Sequence, residues 1–321
     1  MRGVYIVAND KVIDNAIALT SSLRLQDPDL PIYLIPFNDA YLDVAERLAN
    51  LYNVELFPDL DFLNVLTQKV GEIFPPDYLA LPNKMRKLAA WFGPLDEFLY
   101  IDTDILVFKP VAEILAYLDQ ADFIWCDYHF KGGLKDVFAD AVIEQNLFSP
   151  EALSDVFNSG LWGSKKGVLS LEQLYELLGE CAAHREYFDF SSGTTDQPIL
   201  NYVVLRAIDS RLNIVRASAD EPGSWGGSPH FERRGDRLFD GDRPLRYLHW
   251  AGAPMHHGGP YRDLWEHYRY RNAPQSKANI LAAQVQRQIQ SQVSGLQRLK
   301  SQLKKLGRGT LGRPQQPSRP S

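Results

Sequence analysis

Two aspartates one residue apart, Asp102 and Asp104, follow directly on the apolar run Phe98-Leu99-Tyr100-Ile101, and a second run, Ile105-Leu106-Val107-Phe108, begins at once. Short apolar runs of this kind read as buried strands. Open α/β sheets gather their ligands at the carboxyl ends of strands, and the two carboxylates stand at such an end. Pressed against a hydrophobic core, they are costly unless something positive meets them. A hard divalent cation, Mn²⁺ or Mg²⁺, is the natural partner, because it takes oxygen ligands and bridges carboxylates to phosphates. A strand end with two solvated aspartates is the competing reading, and the pair alone does not separate them. Lys84 and Lys87 lie one helical turn apart, either as a grip on phosphate oxygens or as a solvated basic face. Cys126-x-x-His129 and Cys181-x-x-His184 have no common zinc-site spacing, and core packing on a helix explains Cys181.

The elements that must position these residues alternate between strand and helix. Strands are expected at Val4–Ala8, Ile32–Phe37, Val54–Phe57, Phe98–Ile101, Asp122–Cys126, Leu212–Val215 and Leu245–Trp250. Between them, helical periodicity runs from Val12 to Leu23, from Asp43 to Leu51, across Met85, Leu88 and Phe92, and over Ala112–Leu118, Leu171–Ala183 and Gln197–Ile208. Phe231 to Phe239 reads as a hairpin turned at Gly235-Asp236. The fold class is therefore α/β, with a sheet covered by helices.

With 321 residues, 45% of them hydrophobic, the chain can bury a large core. A formal net charge of -6 speaks against a nucleic-acid partner, which needs a basic face. The charge is uneven: from Gln275 onward there are nine basic residues and no acidic ones, and -6 less those nine charges leaves -15 on the rest. Over 272–306, Ile289, Val293, Leu296, Leu299, Leu303 and Leu306 recur as the stripe of a basic amphipathic helix, and 307–321, rich in Gly, Pro and Ser, reads as disordered. Such a helix either lies on an anionic membrane surface or pairs two chains. Two cysteines and the absence of a signal-like or membrane-length apolar run point to the cytoplasm, with a peripheral position at the inner membrane face open through the tail.

Strand-Asp-x-Asp-strand resembles the metal motif of nucleotide-sugar glycosyltransferases of the A-type (GT-A) fold, and the surrounding sequence is similar to family 8, which holds glycogenin and bacterial lipopolysaccharide galactosyltransferases. Further segments match in order over residues 4 to 252: Val7-Ala8-Asn9-Asp10, Lys87-Leu88-Ala89-Ala90-Trp91, Phe157-Asn158-Ser159-Gly160, Asp196-Gln197-Pro198-Ile199-Leu200-Asn201 and Leu248-His249-Trp250-Ala251-Gly252. The resemblance implies one GT-A domain, 1–271, with a mixed central sheet. It implies that Ala8, Asn9 and Asp10 receive the nucleoside and that Lys87, Thr103 and Gly252 lie along the donor. Asp102, Asp104 and His249 would hold Mn²⁺ or Mg²⁺, and Asn158, Asp196 and Gln197 would line the reaction centre.

Bland alternatives stay open for His249 as a core histidine, Asp196 as a helix N-cap or first-turn acid and Asn158 as a turn residue. The activity implied is retaining transfer of a sugar from a UDP-sugar donor to a saccharide or glycolipid acceptor. Two departures stand out. The family's lysine after the His-x-x-Gly segment is missing, with Arg262 or His256-His257 as substitutes, and Pro198 replaces an acid or small residue. The missing lysine keeps a binding protein of the same fold, without activity, as the alternative. A phosphatase using Asp102 and Asp104 fits less well, since the pair is not on the first strand.

Overall fold

The first strand, β1 (Arg2–Ala8), buries Val4, Tyr5 and Ile6 completely within a seven-stranded sheet in the computed structural model, which describes residues 1–218, 221–255 and 258–272. The other strands in chain order are β2 (Ile32–Pro36), β3 (Glu55–Leu56), β4 (Glu97–Ile101), β5 (Ile105–Val107), β6 (Phe123–Trp125), β7 (Leu161–Lys165) and β8 (Arg211–Asn213), then β9 (Glu232–Arg234), β10 (Arg237–Asp240), β11 (Arg243–Pro244) and β12 (Tyr247–His249). The large sheet has the order β3-β2-β1-β4-β7-β6-β8, parallel except that β7 runs antiparallel to both neighbours. Helices cover it, so its inner strands are apolar on successive residues instead of alternating. β9, β10 and β11 make a small antiparallel sheet turned, as expected, at Gly235-Asp236, and β12 pairs with β5.

Three local departures from the sequence reading bear on the site. The segment Pro82–Phe92 winds as a 3-10 helix and not as an α-helix. The spacing of Met85, Leu88 and Phe92 suits either winding, but at three residues per turn Lys84 and Lys87 eclipse one another. The strand expected at Leu212–Val215 stops at Asn213, whose side chain accepts from the Val215 amide and opens a short helix, Ile214–Ala217. Helices Leu60–Ile73 and Arg262–Tyr270 were not anticipated. The second buries Leu264, Trp265 and Tyr268 and is tied to helix Ile13–Gln26 by Arg269, whose Nε donates to Asp14 at 2.6 Å.

Helix Leu171–Ala183 starts at a capping box of Ser170 and Gln173 and buries Leu174, Leu177, Leu178 and Cys181 on one face. Helix Asp196–Ala207 packs beside it and is buried from Asp196 to Leu205. Truncating Leu174 to Ala would cost about 2–5 kcal/mol. At the centre Trp162 of β7 meets Trp91, Tyr100 and Phe123 with ring centroids 4.8, 5.4 and 5.6 Å away. Trp91 also donates to Ser164 Oγ at 2.9 Å, which locks the 3-10 segment against the sheet.

Both cysteines are buried free thiols, pushed up by burial and so held protonated. No helix among the described residues is long and apolar enough to cross a membrane. Residues Met1–Asn272 form one compact unit. From residue 273 on, the expected amphipathic helix over 272–306 and the tail beyond it lie outside the described residues.

Candidate active site

Asp102 leaves the carboxyl end of β4 and donates its backbone N–H to Gly160 O at 2.7 Å. β5 follows after Asp104, and its antiparallel partner β12 sets His249 opposite Ile105. The Trp250 amide donates to Asp104 O at 3.1 Å, which closes the ribbon over the acidic turn. His249 Nε2 thereby lies 3.3 Å from Asp104 Oδ1, and one ligand atom from each of Asp102, Asp104 and His249 falls within 4.8 Å of the others. Ligands on opposite sides of a six-coordinate cation with bonds of about 2.1 Å stand about 4.2 Å apart, so small side-chain rotations bring these three onto one ion. Two carboxylates and an imidazole suit Mn²⁺ better than Mg²⁺, which prefers oxygen ligands throughout. Among the described residues no other His, Cys, Asp and Glu group meets this test. Gly160 makes room for the histidine, since a Cβ there would overlap the His249 ring.

The electrostatics of the three are unequal. Burial and the neighbouring Asp104 push the Asp102 carboxyl up against the opposing pull of Lys87, whose Nζ is 3.7 Å away. The Tyr100 hydroxyl donates to Asp102. Burial would raise Asp104 too, but the adjacent imidazole outweighs it and holds the carboxyl low. His249 is raised by Asp104 against the cost of burying its charge.

Asp196 lies deeper. Lys87 Nζ donates to its Oδ2 at 2.8 Å, Ser159 Oγ reaches the same oxygen at 3.4 Å, and Lys84 Nζ is 3.3 Å from Oδ1. The eclipsed lysines of the 3-10 turn thus grip one carboxylate. Burial alone would raise Asp196, but the two ammonium groups outweigh it and bring the carboxyl down to about 2. Asp196 is not the N-cap, which is Thr195 without a side-chain cap bond, but it does stand as an acid in the first turn of the helix, while its carboxylate accepts from side chains. Gln197 Oε1 accepts from the Ser159 amide at 3.2 Å, and its Nε2 donates to Asp136 O at 3.2 Å. Asn158 is a turn residue as well as a cleft residue: its Oδ1 accepts from the Gly160 amide at 2.9 Å.

A cleft of about 1050 Å³ opens over these groups and is lined by Asp102, Asp104, Asn158, Asp196, Gln197, His249 and Gly252, with Lys84 beside them. Gly252 has φ +83°, a left-handed turn that suits glycine. Lys87 lies beneath, 3% exposed, joining Asp196 to Asp102. Thr103 links the two aspartates. Ala8, Asn9 and Asp10 stand at the carboxyl end of β1, next to β4, but do not line this cleft. Asn9 accepts from the Lys11 amide at 3.1 Å, and Asp10 Oδ1 accepts from the Val44 amide at 2.9 Å at the start of helix Leu42–Tyr52. Arg262 pairs with Glu266 at 3.0 Å and is not a lining residue, while His256 and His257 lie outside the described residues.

Sequence reasoning missed Asp127. It is buried at the carboxyl end of β6, lines the cleft, and accepts from the Asn158 amide at 3.0 Å and the His129 amide at 2.8 Å. Its signal was the same as that of Asp102, an acid released by the apolar run Phe123-Ile124-Trp125-Cys126.

No protein-family model matches the chain, and no curated protein matches its sequence. Among solved structures, the apo form of the bifunctional glycosyltransferase WbbM is similar over 83% of this chain, at 15% identity and a TM-score of 0.53. This chain spans only 49% of that one, about half its length. The galactosyltransferase LgtC, in complex with donor and acceptor sugar analogs, is 15% identical with a TM-score of 0.48, covering 84% of this chain and 94% of its own. Mouse xyloside xylosyltransferase 1 in its apo form is 16% identical with a TM-score of 0.47, covering 66% and 85%. Identities this low speak to architecture alone, and the likeness to WbbM carries it: the chain has the GT-A glycosyltransferase fold.

Proposed function

We propose that this chain is a family 8-like glycosyltransferase that moves a sugar from a UDP-sugar to a saccharide or lipid-linked acceptor, with Mn²⁺ and with retention of anomeric configuration. The observation that carries the reading is the convergence of Asp102, Asp104 and His249 on one point of a cleft whose floor is the lysine-bound Asp196. Those three residues would hold a divalent cation, which when bound would supply charge neutralisation for a departing nucleoside diphosphate. The protein's own groups do the rest. Lys84, 41% exposed and lining the cleft, is the cation placed to meet donor phosphate in lieu of the missing lysine. Asp196, with its carboxyl down at about 2, stays ionised at neutral pH, and a general base works best with a pKa near the operating pH. Its role is therefore electrostatic: held between Lys84 and Lys87, it fixes the positions of those two cations beside the reaction centre. Asn158 and Gln197 stand beside it, each already held by the backbone of the Asn158–Gly160 turn, and position the sugar.

The test is thermal unfolding with UDP and UDP-sugars, with and without Mn²⁺, on wild type and on Asp102→Asn/Asp104→Asn. A ligand of the folded state alone raises the transition temperature. Stabilisation by UDP that needs both Mn²⁺ and the aspartates is expected, together with slow hydrolysis of one UDP-sugar. Absence of any nucleotide effect would sink the proposal, and stabilisation without turnover of any donor would leave a binding protein.

A further inference from the structure

Trp225 is 55% exposed, whereas the other five tryptophans, Trp91, Trp125, Trp162, Trp250 and Trp265, are at most 4% exposed. Leaving an indole in water forgoes a large apolar burial. Its place is fixed by the backbone. Trp225 forms an isolated bridge to His249, with the His249 amide donating to Ser224 O at 2.8 Å and the Gly226 amide donating to His249 O at 2.7 Å. A side chain at Gly227 would run into the six-membered ring, so this glycine permits the indole's position. The ring thus stands one hydrogen-bonded rung from the histidine of the metal cluster and faces the same cleft.

The wall around it has its arginine and lysine engaged, with a histidine beside the same acid. Arg243 Nη2 lies 3.0 Å from Asp240 Oδ2, His230 Nε2 lies 3.4 Å from Asp240 Oδ1, and Lys131 Nζ sits 4.0 Å over the Tyr128 ring. That arrangement suits a neutral, hydroxylated ligand better than a charged one. The residues assigned to the nucleoside, Ala8, Asn9 and Asp10, do not line this cleft, and Trp225 does. We infer that Trp225 is the acceptor platform: a neutral pyranoside lays its apolar C–H face on the indole and its hydroxyls toward Ser224, Ser228 and His230. This rests on the transferase reading above and names the substrate class for that same site.

With a single exposed tryptophan, acrylamide quenching of the protein's fluorescence reports Trp225. Quenching is measured on the full chain alone, with UDP and Mn²⁺, and with UDP and Mn²⁺ plus lactose, maltose or cellobiose at millimolar concentration. Trp225→Phe sets the residual level. At least one disaccharide should lower wild-type quenching toward that level. The inference is overturned if UDP with Mn²⁺ alone gives the protection, since the ring then serves the base, or if none of the three sugars protects. The transition-temperature shift by UDP and Mn²⁺, recorded on the same wild-type sample, keeps the two readings apart. Sugar protection without that shift would retain a saccharide site and remove the transferase.

Discussion

Two acidic regions share this cleft, and the protein treats them differently. Asp196 receives two lysines and is driven down to about 2. Asp102, which shares one of those lysines at the longer distance of 3.7 Å, is pushed up by burial and by Asp104. The contrast lies in the partners: Asp196 is met by two ammonium groups, whereas Asp102 shares one of them and stands beside a second carboxylate.

The sharpest way to break that contrast is to remove the lysine both regions share. Lys87→Met strands a buried carboxylate, and chemical denaturation should show a loss of about 3–5 kcal/mol. Adding Asp196→Asn should restore part of it; a double variant no more stable than Lys87→Met would mean that Asp196 does not depend on this lysine. Gly160→Ala tests the other region, because the added methyl meets His249. With ligand at a hundredfold excess over Kd, wild type should gain about 2.7 kcal/mol from UDP and Mn²⁺, and the variant close to none. An undiminished shift would remove His249 from the cation site.

A third prediction follows from pH. A folded-state pKa lowered from 3.8 to about 2 contributes stability that is present above the unfolded value and is lost as pH falls through the folded one. Asp196 should therefore give up about 2 kcal/mol, to order of magnitude, between about pH 4 and pH 2. In Asp196→Asn that part of the acid profile should be missing; an identical profile would show that another group carries it. The smallest effect is expected at Arg262. It pairs with Glu266 one helical turn away, so Arg262→Ala should change stability by no more than about 0.5 kcal/mol and leave UDP binding unaltered. A tenfold loss of UDP affinity would instead make Arg262 the replacement for the missing lysine.

The strands carrying Asp102, Asp104 and His249 were legible because continuous apolar runs ending in polar residues survive without any knowledge of partners. What sequence could not supply was adjacency. β7 enters the sheet between β4 and β6 against the parallel grain, and that placement sets Ser159 and Gly160 against Lys87 and His249. Lys84 and Lys87 were singled out for phosphate, yet their joint grip on Asp196 depends on a 3-10 winding that the spacing of Met85, Leu88 and Phe92 leaves open. Asp127 was missed although its local signal equalled that of Asp102; only the turn donated by Asn158 sets it apart. Helix Leu60–Ile73 was overlooked although Leu63, Leu66 and Val70 carry its period.

β12 has a consequence for biosynthesis. The two carboxylates of the cluster leave the ribosome long before the imidazole does, and the ribbon that joins them cannot form until β12 has been made. A nascent chain stalled before Tyr247 therefore carries two of the three clustered side chains and cannot assemble the cluster, so its formation reports that synthesis and folding have reached β12.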